Sequence, residues 1–190
     1  LLKTQAAAAS KAPPCFAFDD NVGMDILFIQ GPKEGTKVPM LSCVCHGTGH
    51  QVVAPLPGRS GTDIRKTFRE NWKRPYGAPR RLVVDGERGF SLGEFPKRCE
   101  MEDIDVHVTS AKSPWQAGKT ERAGSVWKEC FYRTRQSFPC ASWEDWHELV
   151  DAVNVATGMS TRRGGCSAYQ RVFGRPPRLP GHMLQEEEPS

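Results

Sequence analysis

The stretch "GMDILFIQG", residues 23–31, decides the fold. It is a short apolar run bounded by glycines, which reads as a strand covered on both faces. Leu27 and Ile29 share one face with Asp25, and Met24, Ile26 and Phe28 take the other. A carboxylate inside such a strand costs several kcal/mol, or takes up a proton, unless something pairs with it. The other reading of Asp25 is a strand-edge residue that reaches water.

Outward from this strand the pattern continues as a meander. "TKVPMLSCVC", 36–45, is β-rich in its second half, "HGTGH" is a turn, and "QVVAPL", 51–56, is a third strand. "SGTDIRKTFRENWK", 60–73, repeats Ile64, Phe68 and Trp72 every four residues, with Ser60 or Thr62 as cap, and predicts a helix. "RRLVVDG", 80–86, is a short buried strand running into an Asp-Gly turn, and "FSLGEFPKRCEM" is a broken helical segment. "DIDVHVTS", 103–110, alternates Ile104, Val106 and Val108 as a strand. A helix follows from about Ala117 to Arg135, with a core stripe of Ala123, Val126, Trp127 and Cys130. "SWEDWHELVDAVNVATG" is the last helix, capped by Ser142, with acids in its first turn. The order β-β-β-α-β-α-β-α-α predicts an α/β protein. Its mixed five-stranded sheet has three antiparallel strands, then alternating helices and strands, with the helices packed on it.

Composition bounds the function class. The chain has 190 residues, 38 % hydrophobic and 25 % charged, enough for one core without staples. No run approaches the length of a membrane span, and "LLKTQAAAASKAPP" lacks the apolar centre of a signal peptide. The opening Leu fits a piece of a longer polypeptide. Residues 1–15 read as a linker, 16–160 as the folded core, and 161–190 as a basic, then acidic, extension. Seven cysteines form no CxxC and no Cys/His zinc spacing, and the favoured reading is reduced thiols inside a cell. Net charge is +4, but residues 112–135 and 161–180 concentrate Lys and Arg. Such clusters fit a polyanion partner as readily as a solvated face.

Two more carboxylates matter. Asp85 ends "LVVD", where ligands gather at the carboxyl ends of parallel strands, although alone it reads as a turn residue. Glu121 points away from the apolar stripe of its helix, and alone it is a favourable first-turn acid. Together they carry a spacing: fifty-nine residues between Asp25 and Asp85, and thirty-five between Asp85 and Glu121. This pattern, with "LVVDGERGF" around Asp85 and "SPWQAGKTER" around Glu121, resembles the D…D…E catalytic core of retroviral and retrotransposon integrases. "GGCSAYQRVFGRPPRLPG", 164–181, resembles the segment after the core in copia-type polyproteins, with Ala168 where proline is usual. The resemblance covers about residues 18–180. Asp19 and Asp20 lie close to Asp25, which alone sits within the apolar strand.

The resemblance implies an RNase H-like fold and a metal-dependent DNA integration reaction, with 3′-end processing by water and strand transfer by a DNA 3′-hydroxyl. It implies Asp25, Asp85 and Glu121 as catalytic residues and as ligands of two Mg²⁺ (or Mn²⁺) ions, which suit oxygen donors. At least one of the three carboxyls is expected to have a raised pKa without metal. Lys119, Arg122 and Lys128 would lie against flanking phosphates. Lys112, Trp115 and Gln116 would grip unpaired DNA ends, with Trp115 alternatively a loop anchor. Element ends and target DNA are the implied partners, along with a homo-oligomer. The implied setting is the nucleus, with a cytoplasmic particle stage. No membrane is implied, and this stretch holds no zinc module. The competing reading is an inactive remnant that only binds nucleic acid.

Overall fold

The apolar run around Asp25 is the middle strand of the sheet. In the computed structural model, which describes residues 17–86, 88–91, 93–109, 114–138, 140–160 and 165–176, β1 (Asn21–Gln30) pairs antiparallel with β2 (Lys37–Cys45). The edge strand β3 (Gln51–Pro55) pairs antiparallel with β2. On its other side β1 pairs parallel with β4 (Arg81–Val84), and β4 parallel with β5 (Asp105–Val108). The spatial order is β3-β2-β1-β4-β5. The predicted mixed five-stranded sheet with flanking helices is the sheet observed.

One face of the sheet carries α1 (Gly61–Phe68), which passes through a π-helical turn (Arg69–Lys73) into α2 (Arg74–Tyr76). Ser60 caps it, its hydroxyl accepting the Asp63 N–H at 3.2 Å. The widened turn precedes Pro75, which has no N–H for an α-helical ladder. Ile64, Phe68 and Trp72 are buried as their spacing predicts, against Val22, Met24 and Ile26 of β1. The short helices α3 (Arg88–Ser91) and α4 (Glu94–Met101) add Phe90, Phe95 and Cys99 to this core.

The other face carries α5 (Pro114–Ser137) and α6 (Trp143–Met159). Here Leu27 and Ile29 meet Trp127, Phe131, Trp146 and Leu149. The rings of Trp127 and Phe131 stack at 5.6 Å between centroids, a contact worth about 1 kcal/mol beyond the area it buries. Asn154 bolts α6 to the sheet edge: its Oδ1 accepts from Val53 N–H and from the Trp127 indole, and its Nδ2 donates to the Val53 carbonyl. That contact covers the edge strand, which would otherwise be open to pairing. Ser142 and Asp145 form the capping box that starts α6.

Two sequence expectations are corrected. Phe28 is 46 % exposed rather than buried, with the Arg59 guanidinium over its ring at 5.7 Å. The buried stripe of α5 is Thr120, Gly124, Trp127 and Phe131; Ala123 and Cys130 are half-buried and Val126 is exposed. A further helix, α7 (Ala168–Phe173), lies where no helix was assigned. Ser167 caps it with Gln170, and Ala168 is its first residue, fully buried. That first position is where proline is favoured, so the alanine keeps the helix start. The six described cysteines are free thiols. No helix among the described residues is long and apolar enough to cross a membrane.

Candidate active site

Strand register brings the first two carboxylates together. The parallel ladder of β1 and β4 ends at the pair Met24 and Val84, and that of β4 and β5 at Val84 and Val108. The next residue of each strand is Asp25, Asp85 and Thr109, so the three form a row across the middle of the sheet. Thr109 fastens the row: its N–H and its hydroxyl both donate to the Val84 carbonyl, at 2.8 and 3.0 Å. Asp25 is half-buried, and its Oδ1 accepts the Ile26 N–H at 2.8 Å. Asp85 is exposed.

Glu121 comes from α5, which runs along β1 in the same direction and touches it at two glycines. A Cβ on Gly23 would stand 2.1 Å from Thr120 Oγ1 and 2.6 Å from His46 Nε2. A Cβ on Gly124 would stand 2.8 Å from Leu27 Cδ2. These missing side chains let the helix settle on the strand, with Thr120 hydrogen-bonded to His46 at 3.0 Å. Further along, Arg135 donates to the carbonyls of Gln30 and Gly31, each at 2.8 Å. With Thr120 facing the sheet, Glu121 stands at the flank of the helix and its carboxylate is exposed.

Asp25, Asp85 and Glu121 line one cavity of about 130 Å³, together with Met24, Val84, Thr109 and Thr120. Burial pushes the Asp25 carboxyl up from its ordinary value. The Ile26 N–H and Lys128 pull it down; the negative charges of Asp85 and Glu121 push it further up. The expected raised carboxyl is therefore Asp25, and its coupling to the other two shows that all three share one field. Asp19 and Asp20 are engaged elsewhere. Asp19 accepts the Trp72 indole N–H at 2.8 Å, and Asp20 pairs with Arg80 at 2.9 Å.

The donor set suits a hard divalent cation: three carboxylates and no thiol or imidazole among the residues lining the cavity. As the side chains stand, no three His, Cys, Asp or Glu residues among those described close into a ligand cluster. The residues fit a cation by the chemistry of their oxygen donors and by lining one cavity.

The basic residues divide between two faces of α5. Lys128 stays on the carboxylate side, where its charge reaches Asp25. Lys119 and Arg122 lie on the opposite side and line a second, larger cleft. The resemblance set all three against phosphates flanking the site; only Lys128 lies on the side of the carboxylates. Lys112 lies outside the described residues, as do the side chains of Trp115 and Gln116. Sequence reasoning missed Thr109 and Thr120, which line the cavity. Thr109 could have been found as the residue after β5, one past the ladder.

No family model matches the chain, and neither does any curated protein sequence. Solved structures match it in fold. The HTLV-2 integrase catalytic core domain in complex with magnesium, in trimeric and dimeric forms, superposes with TM-scores of 0.71 and 0.70 at 13 % identity. Each match covers 84 % of this chain and 100 % of that one. A chain of the simian T-cell lymphotropic virus intasome gives 0.73 at 15 % identity, over 92 % of this chain and 60 % of that one. The catalytic core domain of BIV integrase gives 0.65 at 16 % identity, over 82 % and 95 %. The chain has the integrase catalytic-core fold, which is RNase H-like.

Proposed function

We propose that this chain is the catalytic core of a retroelement integrase, which processes DNA 3′-ends and joins them to target DNA. The observation that carries the reading is the meeting of Asp25, Asp85 and Glu121, from β1, the end of β4 and α5, around one cavity. Residues so far apart in sequence gain nothing for stability by meeting. Their mutual repulsion opposes the fold, and a bound cation relieves it. Asp25, Asp85 and Glu121 would hold divalent metal, Mg²⁺ or Mn²⁺. When bound, two such ions supply Lewis acidity to a phosphodiester and lower the pKa of an attacking hydroxyl.

The chain's own residues do the rest. Asp25 sits on the middle strand of the sheet and fixes the position of the site. Glu121 presents its carboxylate from a helix flank where a DNA backbone has access. Lys128, two turns further along that flank, offsets the negative field and contacts phosphate. Chain order and the motif at 164–181 favour a retrotransposon of the copia type, acting on DNA in the nucleus as a homo-oligomer.

The second reading, an inactive remnant that binds nucleic acid, is favoured by one observation: the carboxylates do not yet close into a ligand cluster among the described residues. A disintegration assay on a branched DNA substrate separates the two. We expect joining with Mg²⁺ or Mn²⁺, none with EDTA, and a loss of at least about a hundredfold in Glu121→Gln. Salt-sensitive DNA binding without joining under any metal condition would favour the remnant.

A further inference from the structure

A cleft larger than the carboxylate cavity is found among the described residues. It lies on the opposite side of α5, between that helix, the turn joining β2 to β3, and α7, and has a volume of about 680 Å³. Three cations line it, Lys119, Arg122 and Arg171, and no acid does. Val126, 52 % exposed, supplies an apolar wall beside them. His46 lines it as well, with its Nδ1 buried and without a partner.

The cations sit on a built frame. Lys119 donates to the His46 carbonyl at 3.3 Å, which ties α5 to the turn. Arg171 is carried by α7, and α7 is held by Phe173, whose ring packs on His50 at 5.9 Å and on Tyr76 at 6.3 Å. Burial keeps His46 neutral, so it adds a hydrogen-bonding edge and no charge. The volume falls in the range that encloses a drug-sized molecule, and so a mono- or dinucleotide rather than a duplex.

We propose that this cleft binds a short unpaired stretch of nucleic acid, its phosphates on Lys119, Arg122 and Arg171 and a sugar or base against Val126. A basic groove with an apolar wall is the arrangement that tracks a single strand. The carboxylate cavity and the cleft stand back to back across one helical turn: Thr120 and Glu121 line the first, Lys119 and Arg122 the second. The inference rests on the reading that the chain acts on DNA, and it adds a second nucleic-acid site to it.

The test is fluorescence anisotropy with a labelled oligothymidylate of about ten nucleotides, over a salt series. It compares the whole chain with the double variant Arg122→Glu/Arg171→Glu, the milder Arg122→Gln/Arg171→Gln, and Glu34→Gln in the exposed turn between β1 and β2, each checked for folding by circular dichroism. We expect both double variants to weaken binding, the charge reversal by about tenfold or more. Their salt slope should fall by about 1.4, two single-strand phosphate contacts. Glu34→Gln should bind as the parent does. An unchanged affinity and slope in the folded glutamine variant would overturn the inference, even where the joining assay succeeds. Loss of binding in that variant would support it, even where joining fails. Displacement of the oligonucleotide by inorganic phosphate at equal phosphate concentration would also overturn it, since the site would then take an isolated anion.

Discussion

Gly23 and Gly124 set how close α5 comes to β1, and through that where Glu121 stands. Their substitution costs differ for a physical reason. At Gly23 a methyl meets Thr120 and His46 at distances no packing allows, which outweighs what alanine gains over glycine in a strand. At Gly124 it meets the flexible end of Leu27, and alanine gains about 1 kcal/mol in a helix. We expect Gly23→Ala to lose about 1–3 kcal/mol of stability and Gly124→Ala less than about 1 kcal/mol, both read from urea denaturation. Equal costs, or the reverse order, would contradict this packing. Neither glycine was legible as a contact, because a missing side chain leaves no hydrophobic signal. For the same reason the apolar pattern chose Ala123 and Val126 for the core, when the buried positions are a glycine and a hydrogen-bonded threonine.

At the scale of elements, the β2–β3 hairpin carries two buried histidines that make it sensitive to acid. Burial lowers His46 and His50 to about 4, with the charge of Lys119 adding to the effect at His46. Each binds a proton more readily in the unfolded chain, near the ordinary value of 6.5. Their contribution is therefore complete above that value and is lost as pH falls toward 4. The loss is on the order of a few kcal/mol for the pair. Urea midpoints measured across this range should fall steadily, and His50→Gln should flatten the fall. A midpoint independent of pH would show that these rings titrate normally. The hairpin itself was legible from its turn residues and alternating apolar positions. Its histidines read as unassigned polar residues, since only the fold brings Tyr76 to His50 at 2.9 Å and Thr120 to His46. The π-helical turn and α7 were not read either. The π-helical turn leaves no periodic signal, whereas α7 carries a local one, the Ser167 and Gln170 capping box, that was passed over.

At the scale of the molecule, the mixed five-stranded sheet was readable because each strand announced itself by a short apolar run; the spatial order of its strands was not read. The candidate site was read through the resemblance to integrase cores, since Asp85 and Glu121 taken singly read as a turn residue and a first-turn acid. The meeting of the two aspartates is a consequence of register: β1 and β4 are parallel and end their ladder one residue before Asp25 and Asp85. The sides taken by the basic residues were not readable, because they turn on a rotation of α5 that Gly124 and Thr120 set. Integrase cores solved with magnesium share this fold, and the account stands on whether these three carboxylates act as one cation site.

The direct measurement is a Mn²⁺ titration followed by electron paramagnetic resonance, with Asp25→Asn, Asp85→Asn and Glu121→Gln beside the parent chain. Asn matches Asp25 in size and keeps an oxygen to accept the Ile26 N–H, so the Asp25 variant should keep its structure. The account predicts that the parent quenches the free-ion signal and that each variant weakens binding about tenfold or more, some 1.4 kcal/mol. Mn²⁺ binding that is unchanged in all three folded variants would contradict it.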